Sequence, residues 1–126
     1  MSKKIAFIVT AALLGATPAL AQNAVCVEPT LPAMVDGNTV THDQLVAAIT
    51  QAKDYMAKSD VYQQCIVADL EAKKQAAAKA GTPFDEQLQQ VALAKAAANQ
   101  QSKDKLAADL NAQSALYKQR AAAAGK

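Results

Sequence analysis

The sequence lacks tryptophan altogether and has a single histidine, two cysteines and four glycines in 126 residues. Each shortage excludes a kind of chemistry. His42 cannot hold zinc without further ligands nearby, and it is not placed to activate Ser59, Ser102 or Ser114 as a nucleophile. It reads as a solvated residue in the first turn of a helix. The glycines are too few and too scattered for a phosphate-cradling loop. Asp85 and Glu86 are adjacent, so on a helix they point apart and cannot work as an acid/base pair. Aromatics make up 4% of the chain, which argues against a wide hydrophobic core. Charge of one sign is lacking as well. The formal net charge is +2, and Lys3 and Lys4 supply that excess, so the remainder sums to about zero. No net positive field is left to attract nucleic acid.

What is present begins with an export signal. Lys3 and Lys4 precede an apolar run, Ile5 to Leu14, of about ten residues. That is half of what a bilayer span needs, roughly twenty. Gly15 and Pro18 break the run, and Ala19-Leu20-Ala21 fits the small-x-small cleavage pattern. Residues 1–21 are therefore expected to be a cleavable signal peptide. The product would be a periplasmic protein starting at Gln22, with no transmembrane span. Cys26 follows Asn23-Ala24-Val25, which does not have the form of a lipid-attachment site.

Residues 22–40 read as extended, because Pro29 and Pro32 fix φ and favour polyproline-II geometry, with a turn at Asp36-Gly37. Residues 41–126 read as a helical hairpin. Thr41-His42-Asp43-Gln44 has the form of a capping box, and Gly81 sits where a C′ glycine would stop the helix. Thr82 and Pro83 then read as the N-cap and first residue of a second helix. Asp85 and Glu86 lie in its first turn, and Lys118, Arg120 and Lys126 lie near its end, both as the helix dipole prefers. The expected spans are 42–80 and 83–123. Apolar spacing runs through Leu45, Ile49, Ala52, Met56, Ile66 and Leu70, and through Leu88, Val91, Leu106, Leu110 and Tyr117. So short a connection makes the helices antiparallel. Folding about Gly81-Thr82 sets Met56 near Leu106 and Leu45 near Tyr117. It also brings Ser59 and Gln63 near Asn99 to Ser102. That polar zone reads first as a solvated, locally weak stretch, and alternatively as a layer that fixes register. Asp54/Lys58 and Asp69/Lys73 are i,i+4 pairs on a solvated face.

Exported cysteines usually pair. Cys65 lies about 36 Å along the first helix from Thr41. The fifteen or so residues from Cys26 to Thr41 reach about 46 Å in polyproline-II form. An intramolecular Cys26–Cys65 bond is therefore within reach if the segment doubles back. The alternative is free or intermolecular thiols. Tyr55, Tyr62 and Cys65 fall within about 80° of one another on the helix. They read as a face beside the apolar stripe on which Pro29 and Pro32 dock, as proline segments dock on aromatic grooves.

Cys26-x-x-Pro29-x-x-Pro32, Asp36-Gly37, Val40-Thr41 and Tyr62-x-x-Cys65-Ile66 together resemble a family of small alphaproteobacterial periplasmic proteins. Those proteins share a signal peptide, a Cys/Pro segment ending in Asp-Gly and a Tyr-x-x-Cys helix. The likeness covers about residues 26–66, and Gln44 departs mildly from an acidic preference there. It implies export and this architecture, and it implies no particular activity.

The expected fold class is all-α: a long two-helix hairpin with an extended, disulfide-linked N-terminal segment. The expected function is a non-enzymatic, partner-binding or structural module of the cell envelope, without cofactor, metal or nucleic acid. Its narrow seam favours a protein partner or self-association. The alternative is weak contact with a membrane surface through the basic stretch Lys103 to Lys126. That stretch lacks Trp and Phe and is rich in Ala.

Overall fold

The computed structural model describes residues 25–125, and the expected signal peptide, residues 1–21, lies outside them. Two helices account for most of that chain: α1, His42–Ala80, and α2, Glu86–Ala124, each of 39 residues. At 1.5 Å per residue each is about 58 Å long. They pack antiparallel as a hairpin, preceded by an extended segment from Val25 to Val35. No strand occurs among the described residues.

The start of α1 follows from its cap. The Thr41 side chain accepts from the Gln44 backbone N–H, and the Gln44 side chain accepts from the Thr41 N–H. Both reciprocal bonds of a capping box are therefore made. At the other end Gly81 adopts φ 67°, ψ 24°. Its N–H donates to Ala78 O, and the Thr82 N–H donates back to Ala77 O. Only a residue without Cβ takes that left-handed corner cheaply.

The second helix begins later than its sequence indicates. Thr82 is not its N-cap, because its N–H and its hydroxyl both turn back to Ala77 O and finish α1. Pro83 accordingly lies in the connection, where it prevents α1 from continuing. The N-cap is Asp85, whose carboxylate accepts from the Gln87 N–H at 2.9 Å, and Glu86 occupies the first turn. Of the basic residues expected at its C-terminal turn, Lys118 and Arg120 lie before the last turn and Lys126 lies outside the described residues. The helix runs on to Ala124 with no basic residue in its last turn, and Arg120 is engaged elsewhere.

The seam of α1 differs from the expected stripe. Its buried residues are Leu45, Ala48, Ala52, Tyr55, Ser59, Tyr62 and Ile66. They alternate in steps of three and four, the heptad spacing that keeps one stripe facing a partner helix. Ile49, Met56 and Leu70, expected in that stripe, are only partly buried. Tyr55 was expected on a separate docking face. It instead packs with Ala52 and Leu106, with Met56 and Leu110 against them. The reason is angular: Tyr55 lies about 60° from Ala52 at 100° per residue, within one apolar stripe. Met56, expected near Leu106, packs against the cluster that contains Leu106.

The same heptad steps carry α1 onward to Asp69 and Lys73. A charged pair therefore occupies the positions that would extend the core. Beyond Ile66 on α1, and before Asn99 on α2, no described residue is buried. The hairpin thus has a closed half near the chain ends and an open half toward Gly81.

Candidate functional site

In the closed half the N-terminal segment runs beside α1 and is held at both ends. Cys26 and Cys65 form a disulfide with Cα atoms 5.6 Å apart, closing a loop of sequence separation 39. At the other end Asp36 organises a turn. Its carboxylate accepts from the Asn38 N–H at 2.9 Å, and its carbonyl accepts from the N–H groups of Thr39 and Val40. This turn docks on α2. The Gly37 N–H donates to Gln113 Oε1 at 2.7 Å, and a Cβ at Gly37 would lie 2.1 Å from the Gln113 carbonyl oxygen. The Arg120 guanidinium donates to Asn38 O at 2.6 Å and also to Val40 O.

The extended stretch lies beside α1, where the sequence places it, and the turn from Asp36 to Val40 reaches across to α2, which the sequence did not indicate. Sequence reasoning missed Gln113, Leu116 and Arg120 as its neighbours on α2. Of these only Arg120 carried a signal, as a cation at the predicted end of a helix. Pro29 lies beside Tyr62, Cys65 and Val61. Pro32 is partly buried, and Tyr55 turns into the helix interface. Tyr62 is buried under the segment, and desolvation raises its phenol pKa above the ordinary value, with Glu28 nearby adding to the shift.

The polar zone lies in the same half of the hairpin. Ser59 and Asn99 are 0% exposed, the most enclosed side chains described. The Asn99 amide donates to Ser59 Oγ at 3.2 Å and to Tyr55 Oη at 3.5 Å, and its Oδ1 accepts from Gln63 Nε2 at 2.9 Å. Every described buried side-chain polar atom has a partner. The zone is therefore a closed layer and not the solvated stretch expected first. Burial overrides local polarity here because Asn99, Gln63, Ser59 and Tyr55 satisfy one another. Ser102 stays outside the layer and donates to Ala98 O in its own helix.

Several charged residues form ion pairs. Lys58 with Asp54 and Lys73 with Asp69 form the expected i,i+4 bridges. Lys103 crosses the hairpin to Asp60, and Lys105 meets Asp109. His42 is exposed, 3.4 Å from the Asp43 carboxylate, with its ring 6.3 Å from that of Tyr117. No group of three metal-ligating side chains occurs among the described residues.

Aliphatic side chains are exposed in both halves, Val46 and Val61 among them, but in the open half no described residue is buried and those of both helices surround a groove. A groove of about 410 Å³ starts at Val25 and Cys26 and runs between the helices toward Gly81. Its apolar lining includes Ile66, Leu70, Leu88 and Val91. Leu88 and Val91 are 41% and 47% exposed. Asp69, Lys73 and Lys95 border it. Such a surface can bind by burial and charge. No helix of the described residues is long and apolar enough to cross a membrane. No family model, curated protein or solved structure matches the chain.

Proposed function

We propose that this chain is an exported, non-enzymatic interaction module of the cell envelope, released into the periplasm by removal of residues 1–21. The observation that carries this reading is the contrast between the two halves of the hairpin. One half is covered and its polar groups satisfy one another. The other leaves aliphatic side chains of both helices open around a groove. A small helical scaffold with so little core is stabilised by staples or by partners, and the Cys26–Cys65 bond is one staple. That bond suits an oxidising compartment. The resemblance to small alphaproteobacterial periplasmic proteins points the same way.

Photo-crosslinking in intact cells tests the reading. A photoreactive residue at Val91, and separately at Leu93, is expected to give discrete adducts above the mass of the chain. Absence of adducts at both positions contradicts a binding role. Membrane-surface binding is the second reading. It is weakened by the use of Lys103, Lys105 and Arg120 within the fold. Flotation with anionic liposomes separates the two, because retention by the vesicles supports only the membrane reading.

A further inference from the structure

We infer that the Cys26–Cys65 bond is a reversible clasp: its reduction by a dithiol releases residues 25–35 as a strap hinged at the Asp36 turn, and its reoxidation closes the strap again on α1. This stands apart from the interaction-module reading, because it concerns the chain's own bond and is tested without a partner.

The two ends of the strap are held by different chemistry. At the Asp36 end the anchors are hydrogen bonds and packing. The Gly37 N–H donates to Gln113 Oε1, the Arg120 guanidinium donates to the carbonyls of Asn38 and Val40, and Gly37 and Val40 are buried. None of these contacts involves sulfur. At the other end the covalent link to α1 is the disulfide. From Val27 to Val35 the chain makes no hydrogen bond among the described residues. Fixing such a stretch costs backbone entropy at every residue. Its side chains return little, since Val27 is 78% and Leu31 51% exposed, and Pro29, Pro32 and Val35 are only half-buried. The loop closure imposed by the bond therefore supplies the order that packing does not.

The bond is within reach of a reductant. Both cysteines are partly exposed. They line an open cleft of about 540 Å³ between the strap and α1, together with Val27, Pro29, Ala57 and Val61. A thiolate can enter there without separating the helices. It attacks one cysteine sulfur, the Sγ–Sγ bond breaks, and a mixed disulfide forms. The second sulfur of the dithiol then displaces the protein from it. Two electrons and two protons pass to the protein as two thiols, and the dithiol leaves as its own disulfide.

What survives reduction follows from the same contacts. The capping box of α1, its Gly81 terminus and the Asn99 layer involve neither cysteine. The helices therefore outlast the bond. Tyr62 is buried with Cys26 beside it, and with Ile66 it lines the near end of the groove that runs toward Gly81. Release of the strap lengthens the apolar surface which that groove presents, so the redox state of one bond sets how much of α1 is open.

The oxidised mature protein is reduced with dithiothreitol at several urea concentrations below its unfolding transition. A rate that stays flat in urea is expected, because local opening exposes little new surface. A rate that climbs with the slope of the equilibrium unfolding curve means that the sulfurs are reached only through global unfolding, and it overturns the inference. Amide relaxation by NMR reads the product. Order parameters over residues 27–35 are expected to fall below about 0.6 on reduction. Those of 42–80 and 86–117 should stay unchanged, and the strap should regain its order when oxidised glutathione re-forms the bond. Cys26→Ser/Cys65→Ser should show the mobile strap with or without dithiol. A strap already mobile in the oxidised protein, a strap that stays ordered after reduction, or helices that lose order with it each overturn the inference.

Discussion

Asn99 sits at the centre of the closed half, and three side chains depend on it. Its amide and carbonyl serve Ser59, Tyr55 and Gln63 at once. Removing one member of a buried network leaves the others short of partners, which costs about 1–3 kcal/mol per orphaned group. Asn99→Ala is expected to lower unfolding stability by about 2–4 kcal/mol. Gln63→Ala, at the solvated edge, should cost about 1 kcal/mol. Urea titration checks both, and equal losses would contradict the layer's inside-to-edge order. Gly37→Ala places a methyl group against the Gln113 backbone. It should release the Asp36 turn from α2 while the disulfide still holds Cys26.

Tyr62 adds a pH dependence. Burial raises its phenol pKa in the folded chain. The folded state therefore favours the neutral phenol. This contribution to stability is fully present below the unfolded value of about 10 and is lost as pH rises through the higher folded value. Tyr62→Phe should flatten the alkaline limb of a stability profile above about pH 10 and leave the neutral range little changed. An unchanged alkaline limb in the variant would contradict this assignment.

At the scale of elements, the helices carry their own start and stop signals. Thr41, Gln44 and Gly81 act where they stand in the sequence, so α1 was readable to the residue. The second helix was not, because Thr82 has two possible uses and the α1 terminus took it. Heptad spacing was obscured by Ser59 and Tyr55, a small polar and a large amphipathic residue at seam positions. Their burial depends on Asn99, forty residues away in the chain, which no local pattern reports. The reach argument for Cys26 and Cys65 needed only chain length and helix rise, which is why that contact was legible. Gln113 and Arg120 as anchors were not, because hydrogen bonds to a turn's carbonyls leave no trace in spacing. The element-level expectation concerns the covering segment. Cys26→Ser removes a loop closure whose entropic worth is about 4 kcal/mol. It should free residues 25–35, leave the helices intact, and keep the Asp36 turn on α2 through Gln113 and Arg120. Proteolysis is the check, with early cleavage expected in that stretch and none within α1.

At the scale of the molecule, stability is distributed unevenly along one hairpin. Seven buried side chains of α1 lie between Leu45 and Ile66. Toward Gly81 the seam passes to Asp69, Lys73 and alanines, and the helices continue with little apolar burial to hold them together. Such regions open at lower free energy than the core of the same fold. On the proposed interaction-module reading, a partner that buries Leu88 and Val91 would stabilise the half that is weakest alone. Amide hydrogen exchange on the oxidised mature protein, read by mass spectrometry, tests the division most directly. Slow exchange over residues 45–66 and 99–117, with clearly faster exchange over 67–80 and 86–95, is the predicted result. Uniform protection along both helices, or slower exchange next to Gly81, would contradict it.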